Sequence, residues 1–358
     1  MNNFNKKIIY IAIAVILVII GVIIYWLATK PKTEKVQANY QQISSEKVLF
    51  PTLSLDGTRI IFFNNEQEPA FYEMDNSGGN INKLFVLDTP TDVLWSPDRN
   101  MAILKVVYDK YVFEKYGSKF ADPAVPDQAM TTWLLDFKTN KLARLDLNVG
   151  SVIWTGDNKI IYQFLKQDEN QSTLNIANPD GSNWQKLIDL PFNTSCGLSQ
   201  APNSQNLIIY TLPADVSAAT IYSFNLESQE LKKIKTIDGG QTKAAALSDG
   251  KILYTLPSKE KNPQLAIING DGTNEKKLDF FSTIDKTLDL GNEKIFIAEP
   301  NSKTGGDDFY IVNLANGQST KLNVGTDHQY QALNLMVSTD KKTIFFTDKN
   351  RLYQITGF

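Results

Sequence analysis

Hydrophobic positions along the chain fall into two regimes. Residues 8–28 (IIYIAIAVILVIIGVIIYWLA) are apolar without one charge, whereas from residue 40 onward short apolar runs alternate with polar breaks rich in Gly, Asn and Asp. As a helix the first run would span about 30 Å, the thickness of a bilayer's hydrocarbon core. Tyr25 and Trp26 stand where an interfacial aromatic belt is expected, and Lys30 and Lys32 follow. The run is too long for the apolar core of a cleaved secretory signal and lacks a small-residue cleavage site. The expected organisation is a short tail (1–7), a transmembrane signal-anchor (8–28), a polar linker (29–39) and a folded domain (40–358). Lys6 and Lys7 on one side nearly balance Lys30, Lys32 and Lys35 on the other, where Glu34 offsets one charge. The short tail favours a cytoplasmic N-terminus, hence a single-pass cell-membrane protein with an extracytoplasmic domain.

The folded domain repeats. Apolar stretches end in an Asx residue at Asp75, Asp136, Asn178, Asn225, Asn269 and Asn313. Nine residues after each stands an aliphatic (Leu84, Leu145, Leu187, Ile234, Leu278, Leu322), preceded each time by a basic residue (Lys83, Arg144, Lys186, Lys233, Lys277, Lys321). Asp and Asn side chains bond nearby backbone amides and start turns, so each unit reads strand, turn, strand. Upstream of each lies a second hairpin, with turns such as LDGT (55–58), SPDR (96–99), TGDN (155–158) and STDK (338–341). The runs that follow, among them RIIFF (59–63), KIIYQF (159–164) and TIFFT (343–347), are too short and too β-prone for helix.

Four strands per unit of roughly 45 residues make a propeller blade. The last repeat ends one strand short, and Glu46, Lys47, Val48 and Leu49 near the start repeat the outer-strand pattern. Set beside the last blade, they would close the ring and remove two open edges. The expected fold is all-β: a seven-bladed β-propeller of four-stranded blades, its last outer strand supplied by the N-terminal segment, preceded by one transmembrane α-helix.

The segments LSLDGTRIIF (53–62), WSPDR (95–99) and NPDGSN (178–183) resemble the TolB-like, WD40-like (PD40-type) repeat family of β-propellers. The resemblance covers most of 46–358 and implies a fold more than an activity. Proteins of this kind are mostly interaction platforms, and related propellers also carry peptidase or lyase domains. No N-terminal α/β domain like that of periplasmic TolB is seen in this sequence, so that protein's own role does not carry over.

Charge and rare residues narrow the chemistry. With 36 Lys+Arg against 39 Asp+Glu, the chain lacks the basic field of a nucleic-acid binder. A single cysteine excludes an intramolecular disulfide and any multi-cysteine zinc site. No G-x-S-x-G elbow occurs. Cys196 has no activating base nearby in sequence and reads as a buried thiol. His328, the single histidine, lies in a connection leading into the last blade and reads as a loop or packing residue rather than a general base. The segments at 178–183 and 269–274 lack the ligand alternation and late Glu of a calcium loop, and read as hairpin turns. No catalytic, cofactor or metal residue is expected.

One segment breaks the period. Successive Asx markers lie 42 to 47 residues apart except for 61 between Asp75 and Asp136, which places an insertion at 108–130. Tyr108, Val112, Tyr116 and Phe120 recur every fourth residue, as on one face of a short helix. With Tyr111 and Phe113 they form a candidate partner-binding element, since aromatic loops on rigid scaffolds commonly bind. The alternative is that the stripe packs on the propeller rim. The expected function is a non-catalytic, membrane-anchored binding or scaffolding module for a protein or glycan. The rival is a lyase- or hydrolase-type enzyme with a carboxylate and tyrosine site in the central funnel.

Overall fold

The computed structural model describes residues 15–16, 18–21, 33–66, 68–109, 117–122, 124–202, 204–213, 217–239, 242–259, 262–324 and 329–358. From Thr33 the described chain forms seven sheets, arranged as the blades of a propeller. Blade 1 comprises Leu49–Leu53, Arg59–Asn64, Ala70–Asp75 and Asn82–Val86; blade 2 comprises Asp92–Trp95, Met101–Val107, Met130–Asp136 and Lys141–Arg144. Blade 3 comprises Val149–Trp154, Ile160–Lys166, Gln171–Ala177 and Gln185–Asp189. The innermost strands of blades 4 to 7 are Cys196–Gln200, Ala244–Ala246, Thr287–Gly291 and Leu333–Val337. Within each blade, sequential strands pair antiparallel from the inside outward.

Each blade is buried on both faces because it stands between two neighbours. In blade 1, Ile60 and Phe62 pack toward blade 7, while Phe63 and Phe71 pack toward blade 2. Among the described residues the core divides into seven apolar clusters, one per junction between neighbouring blades. The middle strands therefore read as continuous apolar runs rather than strict alternation. Full burial of a side chain such as Phe62 or Phe63 contributes about 1.5–3 kcal/mol.

Polar turn chemistry fixes the hairpins. In blades 1, 2, 3 and 7 a Ser or Thr hydroxyl ends the inner strand and donates to the Asp two residues on: Ser54 to Asp56, Ser96 to Asp98, Thr155 to Asp157 and Ser338 to Asp340. The same hydroxyl accepts the amide of the residue that leads into the next strand, Arg59, Met101, Lys159 or Thr343. The residue after each Asp is left-handed, with φ of 70° at Gly57, 59° at Arg99, 61° at Asn158 and 59° at Lys341. Only Gly57 adopts that conformation without steric cost. The Ser54 hydroxyl, with the Thr58 amide and hydroxyl, holds the Asp56 carboxyl down at about 2.

The Asx markers close the third strands. Asp75, Asp136, Asn225 and Asn313 each accept two backbone amides of the following turn. Asn178 and Asn269 instead donate to Ser182 and Thr273, whose amides and hydroxyls are held by Asp180 and Asp271. One carboxylate oxygen in each calcium-like segment, Asp180 Oδ1 and Asp271 Oδ1, is thus engaged within its own turn.

Two boundaries differ from expectation. The closing strand is Asn39–Gln42, paired antiparallel with Arg351–Thr356 of blade 7, not Glu46 to Leu49. Val48 is buried between blades 7 and 1 and its amide bonds Asn350, while Leu49 opens the inner strand of blade 1. The second difference lies in the expected linker at 29–39, where Thr33–Gln37 forms a fifth strand running parallel to Ser319–Asn323 of blade 6. Both strands are polar because they are outermost, with a single paired edge. Of the expected anchor, residues 15–16 and 18–21 are helical and exposed; the rest of 8–28 lies outside the described residues. Among the described residues no helix is long and apolar enough to cross a membrane.

Candidate functional site

The insertion is sewn into blade 2 at its two ends. Tyr108 and Phe120 are fully buried and join the cluster between blades 1 and 2, with Phe120 5.3 Å from the Trp133 ring. The Tyr108 amide donates to Ala129 O and its carbonyl accepts from Gln128 N, while its hydroxyl accepts the Asp122 amide. Ser118 donates to Asp88, and the Lys119 ammonium sits 4.0 Å from the centre of the Phe85 ring. These two aromatic side chains serve packing and present no contact surface. Tyr111, Val112, Phe113 and Tyr116 lie outside the described residues, as does His328.

The single thiol is held in a structural role. Cys196 is buried between blades 3 and 4, and burial pushes its thiol up to about 12. Among the described residues no three His, Cys, Asp or Glu side chains converge to hold a metal ion. The basic positions of the outer strands are solvated and several are ion-paired: Lys83 with Glu68, Lys186 with Asp189 and Lys321 with Asp308. Lys105 differs. Its ammonium donates to Thr132 Oγ1 at 2.8 Å and Gly150 O at 2.6 Å between blades 2 and 3. Burial lowers its pKa to about 8, against the opposing pull of Asp92.

The same junction opens outward into a cleft of about 670 Å³. Its inner end is apolar, where Leu145 of blade 2 meets Ile160 and Tyr162 of blade 3. Toward the rim the blade 3 face turns polar: Thr173 and Asn175 are 4 % and 3 % exposed, and the Asn175 amide donates to Thr173 Oγ1 at 3.0 Å. Trp184 lines the mouth at 63 % exposure, the most exposed of the described aromatic side chains on this wall. Burial raises the Tyr162 hydroxyl pKa, and the nearby Asp146 charge adds to the rise. Arg144 lines the cleft and binds Asp122 of the insertion at 2.7 Å, so the insertion and the cleft share a wall.

Repeat geometry accounts for the space. Three residues before the Asx marker, four other blades carry a large aromatic: Tyr72, Trp133, Tyr222 and Tyr310. Each packs toward the preceding blade. In blade 5 the position is Ala266, and its strand partner Tyr254 fills the gap. Blade 3 has Asn175 opposite Tyr162. Sequence reasoning based on the insertion missed Tyr162, Asn175 and Trp184; comparison of this one position across the repeats would have found the cleft. A second cavity of about 460 Å³ lies between blades 7 and 1. The Asp56 and Asp340 carboxylates on its wall are already engaged in their own turns.

No protein-family profile matches this sequence, and no curated protein does. Solved structures with the same fold do. An oligogalacturonate lyase from Vibrio parahaemolyticus superposes with a TM-score of 0.59 at 10 % identity, covering 91 % of this chain and 98 % of that one. A prolyl endopeptidase gives 0.58 at 10 % identity; the match covers 86 % of this chain and 47 % of the endopeptidase, about half its length. The C-terminal WD40 domain of Sif2 gives 0.54 at 12 % identity, over 87 % of this chain and 81 % of that one. The fold is a seven-bladed β-propeller, shared with WD40 domains and enzymes alike.

Proposed function

We propose that this chain is a non-catalytic binding or scaffolding module of the TolB-like, WD40-like kind, tethered by residues 8–28 as a single-pass anchor. Its propeller faces outside the cytoplasm and engages a protein or glycan. The observation that carries this reading is the cleft between blades 2 and 3. There a repeat position that is aromatic in four other blades is an amide, and the mouth is flanked by an exposed tryptophan. Concave sites of this size, where aromatic and aliphatic side chains stand beside polar groups that can orient a ligand, are typical of ligand recognition.

In-cell crosslinking and affinity capture of the full-length protein test the proposal, with alkaline extraction of membranes in parallel. The expected result is membrane-retained protein that recovers a defined partner. Release of the protein by alkali would overturn the anchor. A second reading, a lyase- or hydrolase-type enzyme, draws on Lys105, a largely buried lysine whose pKa of about 8 suits proton transfer near neutral pH. Turnover by the purified protein that is lost in Lys105→Met would favour it.

A further inference from the structure

We infer that the cleft between blades 2 and 3 is a saccharide-binding site, with Trp184 as its stacking platform. This rests on the binding-module reading and names the ligand class for that site. Trp184 is 63 % exposed, and an exposed indole offers a flat apolar surface to the C–H face of a sugar ring. Below it the floor supplies hydrogen-bonding groups. Asn175 is almost completely buried, yet its side chain's one hydrogen bond among the described residues runs from Nδ2 to Thr173 Oγ1, which leaves Oδ1 for a ligand hydroxyl. Tyr162 brings a hydroxyl to the same wall, and Asp146 and Lys186 place an acceptor and a donor at the edges. Charges of both signs suit a polyhydroxylated ring, which donates and accepts at every carbon, better than a ligand of single charge.

An extended peptide fits less well. Peptides dock on sheets by adding to a free edge, but the floor strand Gln171–Ala177 is paired on both sides, with Ile160–Lys166 and Gln185–Asp189. Recognition here must run through side chains within one compact cavity, whose volume is that of a small-ligand site.

Calorimetric titration of the full-length protein with cellotetraose, N-acetylchitotetraose, maltotetraose and a uronate tetrasaccharide tests the inference, alongside Trp184→Ala and Asn175→Tyr. Asn175→Tyr installs the aromatic that other blades carry at this position and fills the cleft from within. Saturable binding of at least one saccharide is expected, weakened about tenfold or more by Trp184→Ala and abolished by Asn175→Tyr, with both variants melting as the wild type does. Trp184 is on the surface, so its variant keeps the test valid even if Asn175→Tyr does not fold. The uronate arm separates recognition of an acidic sugar from that of a neutral ring. Absence of binding to all four, binding indifferent to both substitutions, or a displayed peptide occupying the cleft instead would overturn the saccharide assignment. If that happens while crosslinked partners are still captured by the wild type and both variants, the binding-module reading stands while the saccharide site falls. Turnover of a titrated sugar would reverse the pattern, keeping the site and removing the non-catalytic reading.

Discussion

The Ser96 hydroxyl donates to Asp98 and accepts the Met101 amide in a position fully shielded from water. Removing it leaves that amide without a partner, and an unsatisfied buried donor costs about 1–3 kcal/mol. Ser96→Ala is expected to lower stability by that amount in urea unfolding, and Ser338→Ala, in the half-buried equivalent turn of blade 7, by less. Lys105 carries the opposite expectation. Its folded pKa of about 8 lies below the ordinary lysine value, so below pH 8 the fold must hold a charge that the unfolded chain solvates freely. Between about pH 8 and the unfolded value near 10.4 the unfolded state binds more protons, and stability rises with pH. The charge costs the fold about 3 kcal/mol at neutral pH. Lys105→Met is expected to raise the melting temperature at pH 7 and to flatten its climb over that alkaline window, as scanning calorimetry at several pH values would show. A melting temperature that falls in Lys105→Met would mean that the bonds to Thr132 and Gly150 outweigh the desolvation.

At the scale of strands, segments about 300 residues apart in the chain hold one blade together. Asn39–Gln42 is the outer strand of a sheet whose other strands come from 333–356, and its Tyr40 ring meets Tyr330 edge-on at 5.4 Å. Tyr40→Ala is expected to destabilise by about 2 kcal/mol, below the full cost of a buried aromatic because Tyr40 is half-exposed. Hydrogen exchange should then lose protection in 39–42 and 351–356 together. The principle of this closure was legible in the sequence, since a blade one strand short demands a donor. The donor's identity was not, because an outermost strand with one paired edge needs no apolar alternation, and NYQQ and TEKVQ look like linker. Val48 misled for a related reason: it is apolar because it is buried between blades 7 and 1, not because it lies in an outer strand. The blades themselves were legible because Asx turns and doubly buried strands leave fixed spacings. The cleft was not, since its signal is a missing aromatic at Asn175, visible only against Tyr72, Trp133, Tyr222 and Tyr310 once the repeats are in register. The insertion drew attention by length and aromatic content, yet Tyr108 and Phe120 are aromatic because they fill the junction of blades 1 and 2.

For the whole molecule, the strand at Thr33–Gln37 changes what a tether would mean. With 8–28 as a membrane anchor, only residues 29–32 would separate it from a strand bonded to blade 6, so the propeller would be held against the bilayer rather than swinging on a long linker. The side of the membrane on which it stands can be read with a thiol reagent. Cys196 is completely buried and its thiol is pushed up to about 12, so the native protein offers almost no reactive thiolate. Thr139 is exposed in the turn between Met130–Asp136 and Lys141–Arg144, and its side chain makes no hydrogen bond among the described residues. Thr139→Cys in the full-length protein is therefore expected to react with a membrane-impermeant maleimide in intact cells, with the wild type as a silent control. Labelling that appears only after permeabilisation would place the propeller in the cytoplasm. The saccharide cleft would then face cytoplasmic ligands, and the near balance of Lys6 and Lys7 against Lys30, Lys32 and Lys35 would have resolved the other way.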